Sequence, residues 1–364
     1  MSTEKINEYI SQIKSLNFEA MQKAQERLDF LAKPPGSLGK LEDIAVKLSG
    51  ISGEMFYNIG KRALIIMSSD NGVVDEGVAS APQSVTYAQT INFTRGITGA
   101  AVLAKQFNTD LIIVDVGVNA DISHPQIKNK KIRKSTNNIA KMPAMSYEEA
   151  ERAVLTGIEI AVEAVKNGYK IIGVGEMGIG NTTTSSAVLH AFTKLPVQDI
   201  VGKGAGLKEE SYARKIKIVG ESVEKHAPDI SDPLDVLAKV GGFDIAAMAG
   251  VYIGCAYMKV PVVIDGFISI VAALAASKFH QNITDYMIAS HLSYEPGYIY
   301  ASKALGIDPS LHLNMRLGEG SGCPIMFSVI DAACAIIRDV ATFAEASIDD
   351  KYIDEIKDGA NFIV

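Results

Sequence analysis

The sequence has no surplus of basic charge, few cysteines and no long unbroken apolar run, and each shortage excludes a class of function. Its 35 Lys and Arg stand against 42 Asp and Glu, for a net charge of -7, whereas a protein whose main partner is nucleic acid presents a basic face to phosphate backbones. Small molecules are the better-matched partners. Cys255, Cys323 and Cys334 are odd in number and at no metal-ligand spacing. Nothing near the N-terminus resembles a secretory signal, so they read as reduced thiols in a cytoplasmic protein, with no metal implied. The longest apolar stretch, residues 253–276, is interrupted by Lys259, Pro261 and Asp265, and reads as a buried strand followed by a buried helix, not a membrane span. Also missing are a Ser-His-Asp order, a Walker lysine and any metal-ligand motif, which sets aside covalent acyl transfer, nucleotide hydrolysis and metal catalysis.

What is present centres on the stretch from Lys170 to Ser185, Lys-Ile-Ile-Gly-Val-Gly-Glu-Met-Gly-Ile-Gly-Asn-Thr-Thr-Thr-Ser. It reads as strand, glycine loop and helix start. Gly173, Gly175, Gly178 and Gly180 permit close backbone approach and positive φ, and Asn181 with the following Thr/Ser run supplies capping oxygens and exposed amides. The loop is either an anion cradle, with Gly178, Gly180 and Asn181 at a phosphate, or a tight β–α connection without a ligand. Glu176 sits awkwardly beside a phosphate and is better matched to sugar hydroxyls or a cationic ring.

Around this stretch one pattern recurs: an apolar run, a polar or glycine-rich terminus, then a helix. The runs are 63–67, 111–118, 236–240, 260–264, 286–290 and 311–315, together with the run before Gly173. They close on Asp70-Asn71-Gly72, Gly241-Gly242-Phe243-Asp244, Asp265-Gly266, His291 to Gly297 and Arg316 to Gly322. This predicts parallel β/α architecture, with the unit recurring about six times and its loops gathered along one edge, where such sheets place their sites. Helices are predicted over 87–106, from the capping box Ser146-Tyr147-Glu148-Glu149 to Asn167-Gly168, and over 325–343. The basic segment 128–141 reads as a solvated loop in preference to a substrate-steering patch. Arg214 and Lys215, on the helix after the second glycine loop at 202–206, are either solvated or ligand-facing.

Glu176 and Glu319 each follow a glycine at a strand end. Such a pair suits a general base and an electrostatic stabiliser, or two carboxylates capping neighbouring helices. His291 is either catalytic or a loop brace. Taken together, Lys33-Pro34-Pro35-Gly36-Ser37-Leu38-Gly39, Gly175 to Thr182, His291 to Gly297 and Arg316-Leu317-Gly318-Glu319-Gly320 resemble, in the same order and over nearly the whole chain, the nicotinate-nucleotide:dimethylbenzimidazole phosphoribosyltransferases of cobamide lower-ligand synthesis. The resemblance implies a Rossmann-like α/β domain over 61–324, its parallel sheet of about six strands carrying helices on both faces, with a small helical domain from 1–60 and 325–364. It implies phosphoribosyl transfer from nicotinate mononucleotide to 5,6-dimethylbenzimidazole or a related base, without cofactor or metal, in a homodimer. It implies Glu319 as general base and Glu176 as the second glutamate at ribose and base. Gly178, Lys215 and Ser293 then fall at the phosphate, with Asp265 beside the ribose, and Gln89, Met177 and Leu317 at the aromatic base. The family's serine in that pocket falls at Ser80 or aligns with Ala81. Asn71 stands where many relatives have His. Two other readings accompany this one: a paralogous subunit of a heterodimer acting on phenolic bases, and another phosphosugar-handling α/β enzyme.

Overall fold

A computed structural model describes residues 2–351. The part of the expected small domain beyond residue 351 lies outside the described residues.

Six parallel strands form one sheet: β1 (Arg62–Ser69), β2 (Asp110–Gly117), β3 (Ile127–Asn129), β4 (Ile171–Met177), β5 (Val262–Ile264) and β6 (Met287–Ala289), in the order β3-β2-β1-β4-β5-β6. Every residue of β4 is buried, as are all but the first of β1, which is why these strands read as continuous apolar runs without alternation. The chain starts outward from β1 toward β3 and returns to the other side at β4, so the strand order reverses between β1 and β4. Ligands of open parallel sheets bind outside the carboxyl ends of the strands at such a reversal. The helices Tyr147–Lys166 and Phe243–Tyr257 cross in close contact where Gly157 meets the backbone of Ala247 and Gly250 that of Val154. No side chain fits at either glycine.

Two of the predicted strands take other forms. Residues 236–240 belong to the helix Pro233–Val240, started by Asp232, whose carboxylate accepts the N–H of Leu234, with a proline in the first turn. That cap outweighs an apolar run too short to distinguish strand from helix. Residues 311–315 lie alongside the segment after β6 and share with it a single bridge, His291 to Leu311. Conversely, β3 lies hidden in the basic segment. The cations there are paired: Lys131 with Asp115, Arg133 with Glu149 and Lys128 with Glu163 at 2.7–2.8 Å. The helix predicted over 87–106 is two, Ser84–Thr94 and Gly99–Gln106, separated at Gly96 and recapped by Thr98.

The described chain divides into two compact units, one running to Lys14 and then from Gly60 to Met326, the other from Ser15 to Ile59 and from Phe327 onward. The first helix, Ser2–Ile10, belongs to the larger unit and not with the helices that follow it. In the smaller unit the Lys-Pro-Pro-Gly-Ser-Leu-Gly segment is a turn pinned by the buried Glu42, which accepts from Lys33 Nζ and from the N–H of Leu38, both at 2.9 Å. Cys255, Cys323 and Cys334 are buried and unpaired. Among the described residues no helix is long and apolar enough to cross a membrane.

Candidate active site

A cavity of about 290 Å³ opens at the carboxyl ends of β4, β5 and β6, within the larger unit. Ser80, Ala81, Gln89, Glu176, Met177, Gly178, Gly180, Asn181, Asp265, Ser293, Leu317 and Glu319 all line it. Twelve of the thirteen residues singled out from the sequence therefore meet at one place, the exception being Lys215.

Glu319 is carried by a loop in which Gly318, Glu319 and Gly320 all have positive φ, of 82°, 62° and 79°. For a residue with a Cβ this left-handed conformation costs about 1–2 kcal/mol. Three contacts hold it. The N–H of Glu319 donates to Glu176 Oε1 at 3.1 Å, and the N–H groups of Gly320 and Gly322 donate to the two oxygens of Asp265 at 3.0 and 2.7 Å. Gly175 in β4 lies directly under the loop, since a Cβ there would stand 2.6 Å from Glu319 O and 2.7 Å from Gly320 N. The Glu319 carboxylate, 6% exposed, accepts from Gln89 Nε2 and from the N–H of Ala100, each at 3.1 Å. Ala100 is in the first turn of the helix Gly99–Gln106, so the positive end of that helix faces the carboxylate. The capping and the site-forming readings of this glutamate hold together.

Glu176 is buried and strongly perturbed. Desolvation pushes its carboxyl up to about 8, with neighbouring Asp244 and Asp265 acting in the same direction. Asn181 donates through Nδ2 to Glu176 Oε2 and, at 3.2 Å, to Asp244 Oδ2. Burial raises Asp244 as well, to about 6. The side-chain donor of Asn181 is thus committed to two acids. In the glycine loop after β4, Gly178 packs against Ser69 and Asp244, and Gly180 takes φ 95° to open the helix Asn181–Thr193.

Lys215 lies behind the cavity wall, fully buried, its Nζ donating to Thr182 Oγ1 and Gly202 O at 2.9 Å. Desolvation draws its ammonium down to about 8, against the opposing charge of Glu295. Thr182, which accepts from Lys215, lines the cavity, as do Gly204, Ser293, Glu295 and the exposed Lys203 and Arg316. Asp265 serves the loop that carries Glu319, both its oxygens being occupied by backbone N–H groups, and His291 Nδ1 lies 3.8 Å from it. His291 itself lines the cavity, with Nδ1 3.1 Å from Ser290 Oγ. Met177 is buried while Leu317 is 57% exposed, so one wall of the cavity is fixed and the other is formed by a side chain at the mouth.

Asp244, Glu295 and the helix start at Gly99 were not singled out as site residues. Glu295 lines the cavity and Asp244 is tied to it through Asn181; both lie inside motifs already noted, but nothing local distinguishes such acids from ones that cap a turn. The approach of Ala100 to Glu319 joins positions 219 residues apart, and no local pattern reports it.

Residues 13–348 match a phosphoribosyltransferase family, DBI_PRT. A nicotinate-nucleotide–dimethylbenzimidazole phosphoribosyltransferase of Clostridium perfringens is 55% identical over 359 residues, 99% of each chain, and one of Clostridium tetani is 46% identical over 97% of this chain and 98% of the relative. The crystal structure of CobT from Thermus thermophilus superposes with a TM-score of 0.88 at 38% identity, covering 91% of this chain and 99% of that one.

Proposed function

The chain belongs to this phosphoribosyltransferase family, and from that premise we propose that it transfers the phosphoribosyl group of nicotinate mononucleotide to 5,6-dimethylbenzimidazole or a related aromatic base. The products are α-ribazole 5′-phosphate and nicotinate. The observation that carries the reading is the pair of glutamates, one at the end of β4 and one on the loop before residue 322, joined through the Glu319 N–H and Glu176 Oε1 at the wall of one cavity.

The reaction needs few parts. A benzimidazole nitrogen attacks C1′ of the ribose from the face opposite nicotinate, forming the new C–N bond. The old bond breaks with its electron pair going to the pyridinium nitrogen, so nicotinate departs with a neutral ring and needs no acid. The proton on the attacking heterocycle passes to Glu319, whose carboxylate Gln89 and the Ala100 N–H hold in place. Removing it in the transition state is general-base catalysis, and holding both rings in line supplies the entropic part. Glu176 braces the Glu319 backbone, and Asp265 holds the next residues of the same loop, so that the base is fixed in position before the reaction. Ser293 and the amides around Gly178 form the phosphate end, with the Lys215 ammonium set behind it through Thr182, and Met177, Leu317, Ser80 and Ala81 the walls around the acceptor ring.

We read the sheet as Rossmann-like because its strand order reverses beside the site, and the chain as a cytoplasmic homodimer. The three buried free cysteines suit a reducing compartment. The reading is tested by donor and acceptor together: release of nicotinate from nicotinate mononucleotide should depend on an added benzimidazole. Nicotinate released at the same rate without acceptor would make the protein a hydrolase instead.

A further inference from the structure

Glu295 places a carboxylate where the proposed function has a phosphate. It precedes the helix Gly297–Leu305, is 9% exposed and lines the cavity. One of its oxygens accepts the N–H of Gly204. The other, Oε2, is buried against Gly202 and has no hydrogen-bond partner among the described residues. The charged groups facing it are Lys215 from the helix Glu209–His226 and Arg316 from the segment leading to Glu319. On its own loop, Ser293 Oγ accepts the Glu295 N–H at 3.4 Å, and on the 202–206 loop Lys203 is paired with Glu209.

A dianionic phosphate beside a buried carboxylate places three negative charges against one buried lysine and an exposed arginine. An orphaned carboxylate oxygen also requires a donor, which a fully ionised phosphate does not offer. A single proton answers both. We propose that Glu295 and the 5′-phosphate of the donor hold one proton between them, so that nucleotide binding takes up a proton from solvent. This rests on the phosphate end of the reading above. The second ionisation of a phosphate monoester lies near ~6, and burial raises Glu295 while Lys215 opposes the rise. Two acids brought together release their shared proton at a higher pH than either alone. The residue therefore selects a phosphorylated donor by its ability to carry that proton, a role distinct from charge attraction by Lys215.

Isothermal titration calorimetry of the full chain with nicotinate mononucleotide, without acceptor, at one pH near neutrality in buffers of different ionisation enthalpy, measures the uptake. The expected result is about one proton per site, none with nicotinate riboside, and an affinity that weakens toward tenfold per pH unit as pH rises. Glu295→Gln should bind without uptake and with a flatter pH dependence, because its amide donates directly to the dianion. Zero uptake by the unaltered chain would overturn the proposal and leave Glu295 accepting a ribose hydroxyl. Uptake that persists undiminished in Glu295→Gln would assign the proton to Lys215 and overturn it equally. A folded chain that does not bind the nucleotide removes the functional reading itself, and this inference with it.

Discussion

Glu176 is a buried carboxyl, and its titration is measurable in the stability of the whole chain. Its carboxyl, pushed up to about 8 by burial, binds a proton in the folded state that the unfolded chain has already released above its ordinary range near 4.5. The folded state thus holds more protons between those values, and stability falls as pH rises through that window, by at most about 1.4 kcal/mol per unit for this one group. Melting temperatures recorded from about pH 5 to 8.5 should show that decline, and Glu176→Gln should flatten it. An unchanged slope in the variant would place the coupling elsewhere. Lys215 titrates at the same upper edge with the opposite consequence for ligands: its ammonium, lowered to about 8, loses its charge above that pH. Lys215→Ala should raise the KM for the nucleotide by about tenfold or more, as expected for a charged hydrogen bond of roughly 1.5–3 kcal/mol, and leave the KM for the base nearly unaltered. Met177, buried in the wall, is expected to set acceptor preference. Met177→Leu should reorder the rates among benzimidazoles with the nucleotide KM preserved, and a change confined to the nucleotide would assign this wall to the other substrate. At this scale the sequence is legible where a glycine beside an acid marks a loop, as at Glu176 and Glu319. It is illegible at Lys215, where burial and the partners Thr182 and Gly202 depend on how a distant helix packs.

At the scale of elements, the site depends on β4 meeting the loop of Glu319 with no side chain between them. A Cβ on Gly175 would strike the backbone of Glu319 and Gly320 at 2.6 and 2.7 Å, and backbone has no room to yield. Gly175→Ala should therefore lower the melting temperature and remove most activity. Gly99→Ala is the contrasting case, because its Cβ would meet the end of the Leu317 side chain at 2.5 Å, which can swing aside into solvent. That variant should fold normally and alter acceptor preference more than kcat. Equal damage from both would show that Leu317 is as rigid as the strand. The strands β1, β2 and β4 are readable because burial makes them apolar along most of their length. The run at 236–240 passes for a strand because a helix buried on most sides looks the same over five residues, and the deciding signal, Asp232-Pro233, lies just outside it. β3 escapes notice because three residues among paired lysines carry no apolar pattern.

For the whole molecule, the larger unit contains every residue that lines the cavity. This chain itself carries Glu176, Glu319, Gln89 and Lys215, and is expected to be active without a paralogous partner. The most direct measurement is the reaction of the purified chain alone with nicotinate mononucleotide and 5,6-dimethylbenzimidazole, with products identified by mass spectrometry, run in parallel for Glu319→Gln and Glu176→Gln. The expected outcome is α-ribazole 5′-phosphate and nicotinate in equal amounts, with kcat lowered by about 10²–10⁴ in Glu319→Gln at little cost in stability. A folded chain that forms no such product would contradict it, as would a Glu319→Gln variant that turns over normally while Glu176→Gln is dead.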